Sequence, residues 1–428
     1  MKTVDIQVHE VTRVEGHGNI VLRAKDGTVE ECKLEITEAP RFFEAMLKDR
    51  SWWEASFITC RICGICSVGH TTASLKATEA AMDVEISEQT LLLRKILFYA
   101  EQLQSHILHT YFLVAPDQFK VGSVIPLAST HPDVVRRALR LKKLANELCG
   151  IIAGRHVHPQ ATVVGGFTRI PTMDELKMAR QMLLDAEPDM KATVELFAGL
   201  TWPDFTRETE YVALSTEDEY AFYDGTLSSS DGQSVTASNY KEIIHEKIVP
   251  HSTAKHAFHN RESYMVGALA RYNLNHKELR AEARNAAKKL GLKAPCHNPY
   301  MISVAQVVEC VHCFYEAIDL VDQLLEKGLK PEVPNVKPKA GRGVGLAEVP
   351  RGLLVHDYTY NERGLITDAN CIIPTAQNLG NIDRDIRAIA PQIIDRPKEE
   401  IRLLLEMLVR AYDPCISCSV HLLDIKFV

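Results

Sequence analysis

Two cysteine pairs with CxxC spacing stand near opposite ends of this 428-residue chain, Cys63-Gly64-Ile65-Cys66 and Cys415-Ile416-Ser417-Cys418. Such spacing puts two sulfurs on one side of a turn, within reach of one ion, and two pairs supply four thiolates. Four thiolates brought together repel one another unless a soft cation neutralises them. Spacing alone leaves that cation open. Structural zinc is the default reading, with an iron–sulfur cluster, a redox-active dithiol or a rarer metal as alternatives. Cys60, Cys310 and Cys313 offer extra thiols. The last two, at i and i+3 among Val307, Val308, Phe314 and Ile318, read as helix core, and Cys32, Cys149, Cys296 and Cys371 are isolated.

The two ends can meet only in a folded protein. The first forty residues alternate in the strand manner, as in Val4–Val8 and Asn19–Arg23, with a hairpin turn at Lys25-Asp26-Gly27. From Glu88 to Leu113, Pro132 to Ile152, Met173 to Leu200 and Tyr300 to Glu326, apolar residues recur at helical spacing over lengths that predict long helices. Residues 205–240 change to a short β excursion. Pro331 to Gly345 reads as a Pro/Gly/Lys-rich connection. Gly352 to Asp368, with its Asn361–Gly364 turn, predicts a hairpin within a β-rich stretch, 341–378. The expectation is an α+β fold, predominantly helical, with a long-helix core, a small N-terminal sheet and β hairpins around the metal site. The run Gly341-Arg342-Gly343-Val344-Gly345 imitates a dinucleotide fingerprint but lacks a preceding strand and a following helix.

Composition narrows the classes. With 46% apolar and 25% charged residues the chain can build a core, and length suggests one to three domains. A net charge of −7 and a pI of about 6.2 argue against a nucleic-acid partner. The one basic run, Arg136 to Lys143, has helical spacing and reads as a solvated face. No uninterrupted apolar run suggests a membrane span. An odd eleven cysteines and an N-terminus that runs directly into strand-like alternation lead us to expect a cytoplasmic protein with reduced thiols.

The flanks of both pairs resemble the large subunit of the [NiFe]-hydrogenases, and the match covers nearly the whole chain as one domain, 1–428. Arg13-Val14-Glu15-Gly16-His17 with Arg61–Cys66 resembles the N-terminal motif of that family, and Asp413–His421 its C-terminal one. Ser105–Phe112 with Asp117, Gly154–Pro159, Val349-Pro350-Arg351-Gly352 and Ile373–Asn378 are further matching pieces. The resemblance implies nickel held by the four cysteines, with Cys63 and Cys415 terminal and Cys66 and Cys418 bridging to an iron that carries cyanide and carbon monoxide. Soft thiolates suit such a centre.

Further roles follow from the same resemblance. Glu15 is implied as a buried proton relay beside Cys415; read alone, it would be a strand-end partner of Arg13. Arg351, beside Pro350, would overhang the metals and donate to a cyanide, and Thr375 to the other. His70 would hydrogen-bond a bridging sulfur, and Asp117 and Asp413 would hold the arginine or cap helices. Glu44, His421 and the Cys371 carbonyl would ligate a magnesium or iron(II) ion, in a segment where Phe42 replaces the usual glycine. The implied enzyme interconverts dihydrogen with protons and electrons. Its implied partners are an iron–sulfur small subunit, diaphorase or other NAD(P)- or ferredoxin-linked subunits, and maturation factors that process the chain after His421, where Leu422–Val428 follows. Rival readings are a hydrogen sensor, a complex I-like quinone-site subunit and a zinc-stapled structural protein.

Overall fold

The computed structural model of the chain describes residues 3–26 and 28–421, so Gly27 of the first hairpin turn and the 422–428 tail lie outside the described residues. Strands β1 (Thr3–Val8), β2 (Gly18–Lys25) and β3 (Thr28–Ile36) form an antiparallel sheet in that order. Its register sets Ile6 opposite Leu22 and Ile20 opposite Leu34, which places their buried side chains on one face, as period-two alternation requires.

The long helices follow. After α1 (Ser67–Met82) comes α2 (Glu88–Ile107), whose N-cap Ser87 accepts the Thr90 N–H at 3.0 Å. It runs on into a π-helical segment, Leu108–Val114. Helix α3 (Pro132–Ala153) stops at Gly154, whose φ of +77° is the left-handed C-cap, and α4 (Met173–Ala198) starts from a Thr172/Glu175 capping box. With α5 (Ile302–Lys327) they pack into one bundle. The segment Pro299–Lys327 is long and apolar enough to cross a membrane, yet 83% of its apolar window is buried inside this protein. Cys310 and Cys313 sit there as fully buried core, as expected, whereas the basic run on α3 is solvated only in part: Arg136, Arg140 and Lys143 are exposed, while Arg137 donates to the Ala192 carbonyl and Lys142 to Gln104.

Between Glu210 and Met265 a four-stranded sheet and a two-stranded ribbon form the β excursion, which thus extends beyond residue 240. A second large sheet has the order β4 (Gly341–Val349), β5 (Gly352–Tyr360), β6 (Ile366–Ile372), all antiparallel. The connection expected over 331–345 therefore ends at residue 340, because the glycine-rich run is itself strand. Strand β4 lies across α1 so closely that a Cβ on Gly343 would overlap the Ala77 carbonyl, and one on Gly345 the Ala73 carbonyl. These glycines serve packing, and no helix opens after them as a dinucleotide turn requires. Helices α6 (Pro374–Ile393), α7 (Lys398–Ala411) and the short α8 (Ile416–Ser419) close the chain.

Candidate metal centre

Backbone pairing brings the chain ends together. Glu15 forms a parallel bridge with Cys415, the Ile416 N–H donating to the Glu15 carbonyl at 2.9 Å. Gly16, at φ +86°, allows this approach, since a Cβ there would meet Ile416 Cβ at 2.7 Å and the Ser417 nitrogen at 2.9 Å. Arg41 ties both cysteine motifs: its guanidinium donates to the Ile62 carbonyl at 2.7 Å and the Ser417 carbonyl at 3.2 Å, and its N–H to the Val420 carbonyl at 2.7 Å.

The sulfurs converge as a result. Cys63 Sγ lies 3.6 Å from Cys415 Sγ, and those of Cys63, Cys66 and Cys418 lie within 4.8 Å of one another. All four residues are buried. Cys415 and Cys418 are joined as a disulfide in this structure, so binding one centre through four thiolates requires that pair reduced. A hydrogen bond from the Cys66 thiol, helped by the Arg351 charge and the N–H groups of Cys66 and Ile65, brings Cys63 down to about 7. Acting as that donor, and buried, Cys66 is itself pushed well up. Of the two, Cys63 is the thiol that gives up its proton more readily.

Arg351 lies close enough for its charge to act on Cys63 and Cys66. Its Nε donates to the Asp413 carbonyl at 2.7 Å and Nη2 to Asp413 Oδ1 at 2.9 Å, while Nη1 is buried without a partner. The loop that carries it is held by Arg271, which donates to the Val349 and Pro350 carbonyls at 3.0 and 3.2 Å. Gln306 donates to the second Asp413 oxygen at 3.3 Å. Thr375 Oγ1 accepts the Cys415 N–H at 2.9 Å, which leaves its hydroxyl proton to donate. His70 Nδ1 lies 3.1 Å from His356 Nε2, whose Nδ1 meets the Tyr358 hydroxyl at 2.5 Å. Burial holds both imidazoles neutral, and His70 Nε2 has no partner.

A smaller site adjoins. Glu44 Oε1 is 2.7 Å from His421 Nδ1, Glu44 Oε2 is buried without a partner, and Cys371, on β6 opposite His356, is close enough that the Glu44 charge helps raise its thiol beyond what burial does. Phe42 has φ −92°, a conformation open to any residue, so glycine is not needed there.

Three bare buried polar atoms, Arg351 Nη1, His70 Nε2 and Glu44 Oε2, fit the implied groups. Each would otherwise cost about 1–3 kcal/mol unmade. The first matches an acceptor carried by an iron, the second a sulfur, the third a hard cation.

Two expectations need correction. Asp117 does not hold Arg351; it pairs with Arg13 and Arg410, and among the described residues it is Asp413 that grips Arg351. Glu15 is half-buried rather than buried, and it pairs with the Ser417 hydroxyl and N–H rather than with Arg13. Sequence reasoning missed Arg41, Gln306, Arg271, His356 and Glu101. Glu101 accepts the Val68 and Gly69 N–H groups at 2.6 and 2.8 Å and so anchors the turn after Cys66. Each is an isolated polar residue with no local pattern.

This site and fold define a class. Residues 41–131 and 204–421 match the model of the nickel-dependent hydrogenase family, and residues 5–39 a HoxL-like model. The α subunit of sulfhydrogenase 1 from Pyrococcus furiosus is 36% identical over 421 residues, covering 97% of each chain. The HoxS β subunit of the NAD-reducing hydrogenase of Cupriavidus necator is 27% identical over 97% of this chain and 94% of that one. A crystal structure of an NAD+-reducing [NiFe]-hydrogenase superposes with a TM-score of 0.86 at 26% identity, covering 98% of this chain and all of that one. The chain belongs to the nickel-dependent hydrogenase family. Within it, this protein is a catalytic large subunit of a [NiFe]-hydrogenase.

Proposed function

We propose that Cys63, Cys66, Cys415 and Cys418 hold a nickel–iron centre whose iron carries cyanide and carbon monoxide, and that the subunit uses it to split and form dihydrogen heterolytically. The convergence of these sulfurs, with the Arg351 charge acting on them and its Nη1 buried without a partner, carries the reading. When bound, the two metals supply the two-electron polarisation of dihydrogen that no side chain can. The protein does the rest. Asp413 fixes the Arg351 fork so that Nη1 presents a preorganised positive donor to the site, and Thr375 presents its hydroxyl beside Cys415. His70, its ring fixed through His356 and its Nε2 buried without a partner, would donate from that nitrogen to a bridging sulfur. A proton on the Cys415 sulfur has Glu15 as its neighbouring base: a Glu15 carboxylate oxygen lies within 4.8 Å of the sulfurs of Cys415 and Cys418. Half-buried, Glu15 passes that proton toward the surface. Glu44, His421 and Cys371 hold a magnesium or iron(II) ion that braces the C-terminal motif.

Electrons leave through an iron–sulfur small subunit and onward to NAD(P), ferredoxin or a related carrier, in a cytoplasmic multisubunit complex matured by dedicated factors. The names of the relatives, an α subunit of a sulfhydrogenase and a subunit of a NAD-reducing hydrogenase, support this assembly.

Isotope exchange between deuterium gas and water in the matured complex is the direct test. Cys415→Ala should lose nickel and exchange while keeping the fold; retained nickel would contradict the ligand set. Glu15→Gln should keep both metals yet lose roughly 10²-fold or more in exchange, the scale of general acid–base catalysis. Undiminished exchange would remove Glu15 from the pathway.

A further inference from the structure

We propose that His251, His256 and Asp383 form a second metal site, separate from the sulfur centre, that takes a zinc-class divalent ion. The three come from different elements: the loop before the strand His256–Phe258, that strand itself, and α6. One donor atom from each lies within 4.8 Å of the other two. His251 Nε2 and Asp383 Oδ2 are 3.1 Å apart, and the two imidazoles meet edge to face at 5.4 Å. Tetrahedral coordination with bonds of 2.0–2.1 Å separates donors by about 3.3 Å, close to the spacing of His251 and Asp383, and His256, within 4.8 Å of both, is near enough to join them around one ion.

An ion pair between His251 and Asp383 accounts for part of this cluster but not for His256. That residue is 4% exposed and its Nε2 has no partner. No protein group satisfies that nitrogen among the described residues; a metal would. The surroundings also orient the donors as in built metal sites. Asp383 Oδ1 accepts the Leu34 N–H at 2.7 Å, which leaves Oδ2 for the ion. The His251 loop is tied to β3 on both sides, with Ile36 N–H donating to the His251 carbonyl at 3.2 Å and Thr253 N–H to the Ile36 carbonyl at 3.0 Å.

Two imidazoles and one carboxylate are borderline donors that suit zinc over magnesium or calcium. His251 and Asp383 side chains remain 23% and 18% exposed, so water completes the coordination from the solvent side. Asp383 follows Thr375 by eight residues on the same helix, about 12 Å along its axis, which keeps the ion clear of the thiolates. The ion would staple the N-terminal sheet, the central loop and α6 together.

The test uses the matured complex, treated with chelator, dialysed against micromolar zinc chloride and analysed for zinc, nickel and iron, with zinc-edge X-ray absorption. The expected result is about one zinc per chain in a shell of nitrogen and oxygen only. His256→Ala and Asp383→Asn should each lose it with nickel and iron unchanged. Should the buried His256 variant fail to fold, His251→Ala at the rim should lose zinc equally. Zinc that is not retained, that shows sulfur ligands, or that persists in these variants overturns the assignment.

Discussion

Arg351 has two of its nitrogens committed to Asp413 and one left for the site, and that division depends on the planar fork. Lysine would keep the charge but could not hold Asp413 and face the centre at once. Arg351→Lys should therefore retain nickel and iron, measured by elemental analysis, while kcat for hydrogen oxidation falls about 10²-fold, the scale of losing one preorganised donor. Asp117 makes the contrasting case. Its partners are Arg13 and Arg410, the latter almost fully buried, so Asp117→Ala leaves the Arg410 charge with Glu406, at 3.4 Å, as its one carboxylate partner among the described residues, and should cost up to about 3 kcal/mol in denaturant unfolding, with turnover per folded molecule largely kept. The four cysteines, Arg351, Thr375 and His70 were legible because each lies in or beside a short motif. Arg41, Gln306 and Glu101 were not, since their partners are backbone groups and side chains that only the fold brings near.

At the scale of elements, what reads easily from a sequence is amphipathic spacing, and α2 through α5 show it within a few residues of their observed ends. Helix α1 escaped because it is buried nearly all round and so carries no periodic stripe. Strand β4 was legible only in part: it lies inside the β-rich stretch 341–378, but its glycine-rich start also read as the connection 331–345. It packs backbone to backbone on α1, which selects glycine at positions where strand formers would be expected. These two elements flank the metal centre, one beginning directly after Cys66 and the other ending before Arg351. Gly343→Ala or Gly345→Ala should destabilise the protein by at least about 1–3 kcal/mol in thermal or denaturant unfolding, because neither backbone can give way easily. A shift of less than about 0.5 kcal/mol would mean that the two elements separate more readily than their packing indicates.

For the molecule as a whole, burial of titratable groups sets an acid limit. His312 and His356 are held neutral by burial, each brought down to about 3 from an ordinary 6.5. Below pH 6.5 the unfolded chain takes up two protons that the fold refuses, so stability is lost as pH falls. Glu348 acts oppositely: raised by burial to about 7, it holds a proton in the fold and loses stability as pH rises from 4.5 through 7. His70, His106 and His256, also lowered by burial, act with the two histidines, while Glu101, pushed well up, acts with Glu348. The buried histidines are the larger set, so net stability should decline as pH falls from about 6.5 toward 4.5, read from denaturation midpoints at a series of pH values.

The function rests on the convergence of two distant cysteine pairs on one centre. Nickel-edge X-ray absorption of the matured complex measures it directly. The expected spectrum has a first shell dominated by sulfur with iron beyond it, and Cys63→Ser and Cys418→Ser should each reduce the sulfur contribution or abolish nickel binding. A nickel shell of nitrogen and oxygen, or zinc in place of nickel among the four thiolates, would contradict the account.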